Sequence, residues 1–253
     1  MLECEYFSVT FYINVSKPSL PDCAMNFPLL YYLSELIFPR LCVTCGDKLI
    51  EQEQWICLYC LHHIPRTNFH LVPENPVAQI FYGRVRIECA TSFFFFTKGS
   101  TYQSLIHNLK YKGMKELGAE MGKHFAIDLL KSNDFSSVDL ICPVPLHPKR
   151  EKKRGYNQSW WIASGMATQM HKPLSVGNLI RVTATETQTR KTRFERWQNV
   201  EGIFALTNPE AYCGKHILLV DDVVTTGATI EACAQAILSK TDARVSIATL
   251  ATA

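Results

Sequence analysis

The chain has 253 residues, 47% of them apolar, and carries a net charge of +3 at neutral pH. Such a length suits one ordinary domain plus a small appendage, and the apolar share supports a packed core. The mild charge does not point to nucleic acid as the main partner. No apolar run reaches membrane-spanning length, and the first residues lack the basic and apolar regions of a secretory signal. A cytoplasmic chain with no membrane partner is therefore expected.

Residues 1–24 alternate weakly in apolar character through Phe7, Val9, Phe11, Ile13 and Val15, then reach Lys17-Pro18-Ser19-Leu20-Pro21. They read as an extension outside any domain, and Met25 as an alternative start. Residues 27–38 carry Leu29, Leu30, Leu33, Leu36 and Ile37 at helical spacing, ended by Pro39. This helix is expected to pack on the body.

Ten cysteines could suggest disulfides, but their clustering favours a reduced chain with a metal site. Cys42-Val-Thr-Cys45-Gly46 and Cys57-Leu-Tyr-Cys60 form two knuckles with two residues inside each pair and eleven between the pairs. Each turn presents two thiolates to one ion, and two turns complete a tetrahedral zinc site. All four places are filled by Cys42, Cys45, Cys57 and Cys60, so the site reads as structural rather than catalytic. Such an ion supplies about 10–16 kcal/mol of apparent binding energy, enough to order a segment with little core. A redox or unpaired-thiol role is the competing explanation. Residues 25–64 are thus expected to hold a helix and a small zinc-binding module.

Residues 65–76 read as a connector with Pro65, Pro73 and Pro76, and the main domain is expected over 77–253. Residues 85–96 contain a strand ending in Phe93–Phe96, expected as sheet core rather than a stacking platform. A short helix over 105–109 leads to Lys110-Tyr111-Lys112-Gly113, whose lysines either reach a polyphosphate or end a solvated helix. Helical spacing resumes over 114–130.

Residues 138–144 are a second strand, running into a basic loop with Lys149, Arg150, Lys152, Lys153 and Arg154. In an open α/β sheet, loops beyond the strand carboxyl ends line the ligand crevice. A basic loop there suits a pyrophosphate; charge alone equally suits a solvated surface or a nucleic-acid patch. The adjoining Arg154-Gly-Tyr-Asn-Gln158 adds planar hydrogen-bonding groups, which favour a defined site. A helix follows over 158–170, with Trp160 and Trp161 near its start, then a short strand near Leu174 and Val176. Residues 179–200 are polar and basic, and so long a stretch inside a domain is functional or disordered. Its Arg181, Thr187, Gln188, Arg190, Lys191, Arg193 and Arg196 could fold over an anionic ligand.

Residues 217–220 are an apolar run that reads as a strand buried on both faces. Asp221 and Asp222 follow at once, then Val223, Val224, Thr225, Thr226, Gly227, Ala228 and Thr229, then a helix over 230–239. The loop amides and threonine hydroxyls can converge on a phosphate at the helix N-terminus, and Gly227 lets the backbone come close. Carboxylates aimed at the phosphate would repel it; at the strand end they can accept hydrogen bonds from a ribose diol. A last strand is expected over 245–250.

The stretch from Asp221 to Thr229 resembles the phosphoribosyl-pyrophosphate (PRPP) signature of type I phosphoribosyltransferases. The order of the whole chain from about residue 26 to 252 resembles the ComF family. The zinc cysteines, Lys110–Gly113, Arg154–Gln158, Thr185-Glu186-Thr187-Gln188 and Arg196-Trp-Gln-Asn199-Val200 all fit that family. The resemblance implies a parallel α/β sheet with helices on both faces, preceded by a small zinc-ribbon-like module. It implies a pyrophosphate loop at Lys149–Arg154 and a flexible hood holding Gln188, Arg193, Arg196 and Asn199. It also implies a link to natural competence.

If the chain is catalytic, a phosphoribosyl group is displaced at its anomeric carbon, with Mg²⁺ bridging pyrophosphate and ribose oxygens. Asp221 and Asp222 would fix the ribose directly or through the metal, and Thr225–Thr229 the 5′-phosphate. The alternatives are a regulator that binds PRPP or a nucleotide without turnover, and a DNA-uptake accessory protein that binds single-stranded DNA or a helicase.

Overall fold

The computed structural model describes residues 38–182 and 203–253. The extension at 1–24, nearly all of the helix at 27–38, and Gln188, Arg193, Arg196 and Asn199 lie outside the described residues. Residues Arg40–Ala253 form one compact unit.

The main sheet is built from β1 (Ala90–Phe95), β2 (Leu140–Pro143), β5 (His216–Val224) and β6 (Arg244–Thr252). Their order is β1-β6-β5-β2 and every pairing is parallel. Parallel neighbours need crossovers, which the helices supply and which cover both faces. The apolar run of β5 divides accordingly. Leu218 and Val220 join one core cluster, Ile217 and Leu219 the other.

The first face is covered by α3 (Gln103–Tyr111), α4 (Lys115–Leu129) and α7 (Gln158–Met170). Phe93 and Phe94 are buried here, and Phe93 stacks on Phe125 with ring centroids 5.1 Å apart. The phenylalanine run is thus core at these two positions. The second face is covered by α8 (Ala228–Leu238) and the short α2 (Pro76–Gln79), with Phe81 and Tyr212 buried between.

The helices α4 and α7 approach unusually closely, because glycines face each other's backbone. A Cβ on Gly165 would lie 1.9 Å from the Ala119 carbonyl oxygen, and one on Gly122 would lie 2.2 Å from that of Ile162. This contact sets the height at which the start of α7 meets the sheet.

The four-cysteine segment packs on the first face. Cys42, Leu49, Ile56, Cys57, Cys60 and Ile64 belong to the same cluster as Phe93 and Leu105. Cys57 caps α1 (Leu58–His62), which carries Cys60, and the Tyr102 hydroxyl donates to the Cys60 carbonyl at 3.1 Å.

Three local expectations need correction. The strand expected over 217–220 continues to Val224, because β6 keeps pairing with it as far as Val224↔Thr252; both carboxylates therefore stand on the strand. The basic stretch is a helix rather than a loop, α6 (Pro148–Arg154). Its start is capped by the His147 side chain with Pro148 in the first turn, and Gly155 ends it at φ 81°. Leu174 makes only a single bridge to Ile141. The strand in this region is instead β3 (Leu179–Arg181), antiparallel to β4 (Phe204–Leu206), so the polar stretch begins on a strand. Among the described residues, no helix is long and apolar enough to cross a membrane.

Candidate functional site

The site lies at the carboxyl ends of β5 and β2, where an open parallel sheet leaves its crevice. The register Pro143↔Val220 ends β2 just before the acidic pair. Asp221 Oδ1 accepts from the Ser159 hydroxyl at 2.7 Å and from the Asp222 amide at 2.9 Å. Ser159 is held there by Asn157, whose Oδ1 caps the Ser159 amide at 3.0 Å while its Nδ2 donates to the Val144 carbonyl at 3.0 Å. One side chain thus starts α7 and fastens it to the chain leaving β2.

Asp221 is half-buried. Burial, then the Asp222 charge beside it, push its carboxyl up to about 7 against the opposing effects of Ser159, the Asp222 amide and Lys110. Asp222 Oδ2 pairs with Lys110 Nζ at 3.1 Å, the two side chains being 13% and 21% exposed. The end of α3 that carries Lys110 is gripped by the segment joining α6 to α7. The Tyr156 hydroxyl donates to the Leu109 carbonyl, and the Arg154 guanidinium lies over the Tyr111 ring at 5.6 Å.

The threonine loop leads straight from β5 into α8. Thr225, Thr226, Ala228 and Thr229 are exposed, and Gly227 is buried with φ 73°. No side chain caps α8. Its first-turn amides and its dipole therefore face outward, as an anion site requires. Arg84 braces the loop from behind: Nη1 donates to the Thr226 carbonyl at 2.8 Å and Nη2 pairs with Glu231. The requirement for glycine at 227 has a second origin. A Cβ there would lie 2.7 Å from Ile80 Cγ2 and 2.9 Å from Phe81 Cε1, besides needing the left-handed conformation.

The five basic residues do not act alike. Lys149, Arg150, Lys152 and Lys153 are exposed and make no ion pair among the described residues, whereas Arg154 is half-buried against Tyr111. Next to α6 lies a cavity of about 540 Å³, lined by Trp160, Trp161, Tyr156, Glu151, Val176 and Arg181 among others. Neither aspartate nor any residue of the threonine loop lines it. Sequence reasoning left Lys110 undecided and missed Ser159 and Arg84. For Ser159 the signal was its place just after Asn157, a helix-capping residue type.

The four cysteine sulfurs lie within 4.8 Å of one another, with Cys45 and Cys57 at 3.7 Å. A zinc tetrahedron with bonds of about 2.3 Å has edges of about 3.8 Å, so the cluster fits this ion. The Cys57 amide points at Cys42 Sγ and the Cys60 amide at Cys57 Sγ, both at 3.4 Å. Burial resists ionisation at Cys42, but the amides of Cys45, Cys57 and Thr44 together outweigh it and bring that thiol to about 7. The acidic pair fits Mg²⁺ by donor chemistry: two adjacent carboxylates, each using one oxygen within the protein.

The family model for the phosphoribosyl transferase domain matches residues 157–253. The chain is 32% identical over 228 residues to the DNA utilization protein YhgH of Salmonella typhi, covering 84% of this chain and 96% of that protein. It is 29% identical over 208 residues to the competence protein ComFC of Bacillus subtilis, covering 79% of each. Against YhgH of Escherichia coli (strain K12) it is 31% identical over 146 residues, and the match spans 56% of this chain and 63% of that relative. Among solved structures it is similar to the glutamine PRPP amidotransferase of B. subtilis, at 18% identity and a TM-score of 0.40, over 53% of this chain and 26% of that one. The fold is that of a phosphoribosyltransferase-like protein with an N-terminal four-cysteine cluster. Within that class, the chain belongs to the ComF family.

Proposed function

We propose that the chain binds PRPP, or another ribose 5-phosphate ligand, together with Mg²⁺, and transfers the phosphoribosyl group to an acceptor. The observation that carries this reading is the uncapped start of α8 directly after two strand-borne carboxylates. Donors for a phosphate and acceptors for a diol stand on one continuous stretch, Asp221 to Thr229. Thr225, Thr226, Thr229 and the first amides of α8 hold the 5′-phosphate, and Asp221 and Asp222 hold the ribose hydroxyls or the cation. When bound, Mg²⁺ neutralises charge on pyrophosphate and ribose oxygens.

In the transfer, the bond from the anomeric carbon to pyrophosphate breaks and its electron pair leaves with pyrophosphate. An acceptor lone pair forms the new bond, and the acceptor's proton departs. Arg154 and the lysines of α6 steady the leaving group. The cavity beside Trp160 opens at the end of β2, the strand adjacent to the one carrying Asp221, and its aromatic lining suits a planar acceptor. Incubating labelled PRPP with a pool of bases and amines, read by mass spectrometry, tests the transfer. Binding without any labelled product would instead assign a regulator that lacks turnover.

A second reading has its own support. Tyr59 is 69% exposed on the four-cysteine segment, its ring lies 4.2 Å from that of His63 at a tilt of 31°, and His62 stands edge-on to His63. Relatives carry names tied to DNA utilization and competence. An aromatic surface of this kind suits single-stranded DNA or a helicase partner within DNA uptake. A salt-dependent mobility shift with single-stranded DNA tests it. Four cysteines gathered for one ion support a cytoplasmic setting for either role.

A further inference from the structure

We propose that Lys110 is a built-in counter-ion, which stands beside Asp222 in place of the divalent cation and passes to the pyrophosphate when cation and ligand arrive together. The proposal rests on the phosphoribosyl reading of the site and deepens it.

Four observations lead to it. First, Lys110 Nζ reaches Asp222 Oδ2 at 3.1 Å, with both side chains mostly shielded from water, so the pair is screened less than a surface contact. Second, this lysine's backbone is held in place. The last turn of α3 is tied by Tyr156 through the Leu109 carbonyl and covered by Arg154 through the Tyr111 ring. Arg154 ends the basic helix and Tyr156 lies two residues past it, so the lysine is registered against the residues assigned to the leaving group. Third, Asp221 does not share the lysine as a hydrogen-bond partner. Its Oδ1 is committed to Ser159 and the Asp222 amide. Fourth, the ammonium is a compact charge on a flexible four-carbon stem, so its head can swing while its Cα stays fixed.

A dication bound at Asp222 and an ammonium 3.1 Å from the same carboxylate repel each other strongly. The cation therefore competes with Lys110 for Asp222 and favours its displacement. Without pyrophosphate the displaced ammonium loses its anion; with pyrophosphate it gains a better one, carrying several oxygens. Cation and pyrophosphate thus bind cooperatively, and the cooperativity passes through Lys110. By linkage, each ligand tightens the other by the same factor.

The test uses Mn²⁺, followed by electron paramagnetic resonance, with and without inorganic pyrophosphate, on the full chain and on Lys110→Met. The variant is expected to bind Mn²⁺ alone about tenfold tighter and metal-pyrophosphate about tenfold weaker, so the coupling collapses. A role in mere folding cannot raise one affinity while lowering the other. A general positive field is separated by Lys112→Met, which removes the same charge from an exposed lysine two residues on and should leave both affinities nearly unchanged. Equal effects from Lys112→Met and Lys110→Met overturn the proposal. Lys110→Gln keeps a donor to Asp222 and is measured alongside, so the question stays answerable if the methionine variant does not fold. Loss or no change of Mn²⁺ affinity in the folded variant overturns the proposal and leaves the phosphoribosyl reading standing. Failure of the unaltered chain to bind metal-pyrophosphate overturns both.

Discussion

The Ser159 hydroxyl and Asp221 Oδ1 meet at 2.7 Å across 62 residues of sequence. The contact joins the start of α7 to the end of β5, so the orientation of the first carboxylate depends on where a helix begins. Asn157 sets that beginning by capping α7 and gripping the Val144 carbonyl. A change at Asn157 therefore reaches the proposed ribose site without touching a ligand.

Asp221→Asn is expected to raise stability and abolish cation binding. The native carboxyl sits near 7 against 3.8 ordinarily, so the folded chain holds a proton that the unfolded chain releases. The stability this group contributes is full below about pH 4 and is lost as pH rises toward 7. The asparagine variant, which can still accept from Ser159, should melt a few degrees higher at pH 8, while the difference vanishes near pH 4. Thermal melts across that range check the sign. A melting difference independent of pH would show that Asp221 is not held protonated by its surroundings.

The four-cysteine cluster is expected to hold one zinc per chain. Metal analysis of purified protein should find it, and Cys57→Ser should lower the melting temperature and expose the 40–64 segment to protease. Cys57 is buried and receives the Cys60 amide, so its loss disturbs both ligation and packing. Metal-free protein that keeps its protease resistance would refute the assignment.

Arg84→Ala should loosen the threonine loop. Removing it strips a donor from the Thr226 carbonyl and a cation from Glu231. Ribose 5-phosphate affinity should fall about tenfold, in line with one charge-assisted hydrogen bond acting indirectly. Pyrophosphate affinity should move less, because Arg84 lies behind the loop and away from α6. Calorimetry with the two ligands separates the cases; equal losses would mean a general change of charge.

Within the basic helix, Arg154→Ala should weaken pyrophosphate binding more than Lys152→Ala. Arg154 packs on Tyr111 beside Lys110, whereas Lys152 is exposed and free to search. Both should leave ribose 5-phosphate nearly unaffected. A larger effect from Lys152 would move the leaving group to the outer face of α6.

Much of this could be read from residue order, because the decisive stretches are continuous. β5, its carboxylates and the helix after them adjoin one another, and the helix expected over 158–170 is α7, which Asn157 starts and His171 ends. The basic helix was read as a loop since it buries no residue and so carries no apolar period; only His147, Pro148 and Gly155 marked it. The extent of β5 was underestimated because the length of its partner β6 decides it. Lys110 against Asp222 and Arg84 against Thr226 join distant segments, and no local pattern announces such pairs.

The contact between α4 and α7 constrains how this chain can diverge. Gly165 rests on the Ala119 backbone and Gly122 on that of Ile162, so neither helix tolerates even one added methyl unless the other retreats. A retreat would lift Ser159 away from Asp221. A lineage can therefore replace exposed residues of α6 one at a time, but it can alter these glycines only through coordinated changes on two helices. Such a barrier keeps the site's geometry intact while the surface around it drifts toward new acceptors or partners.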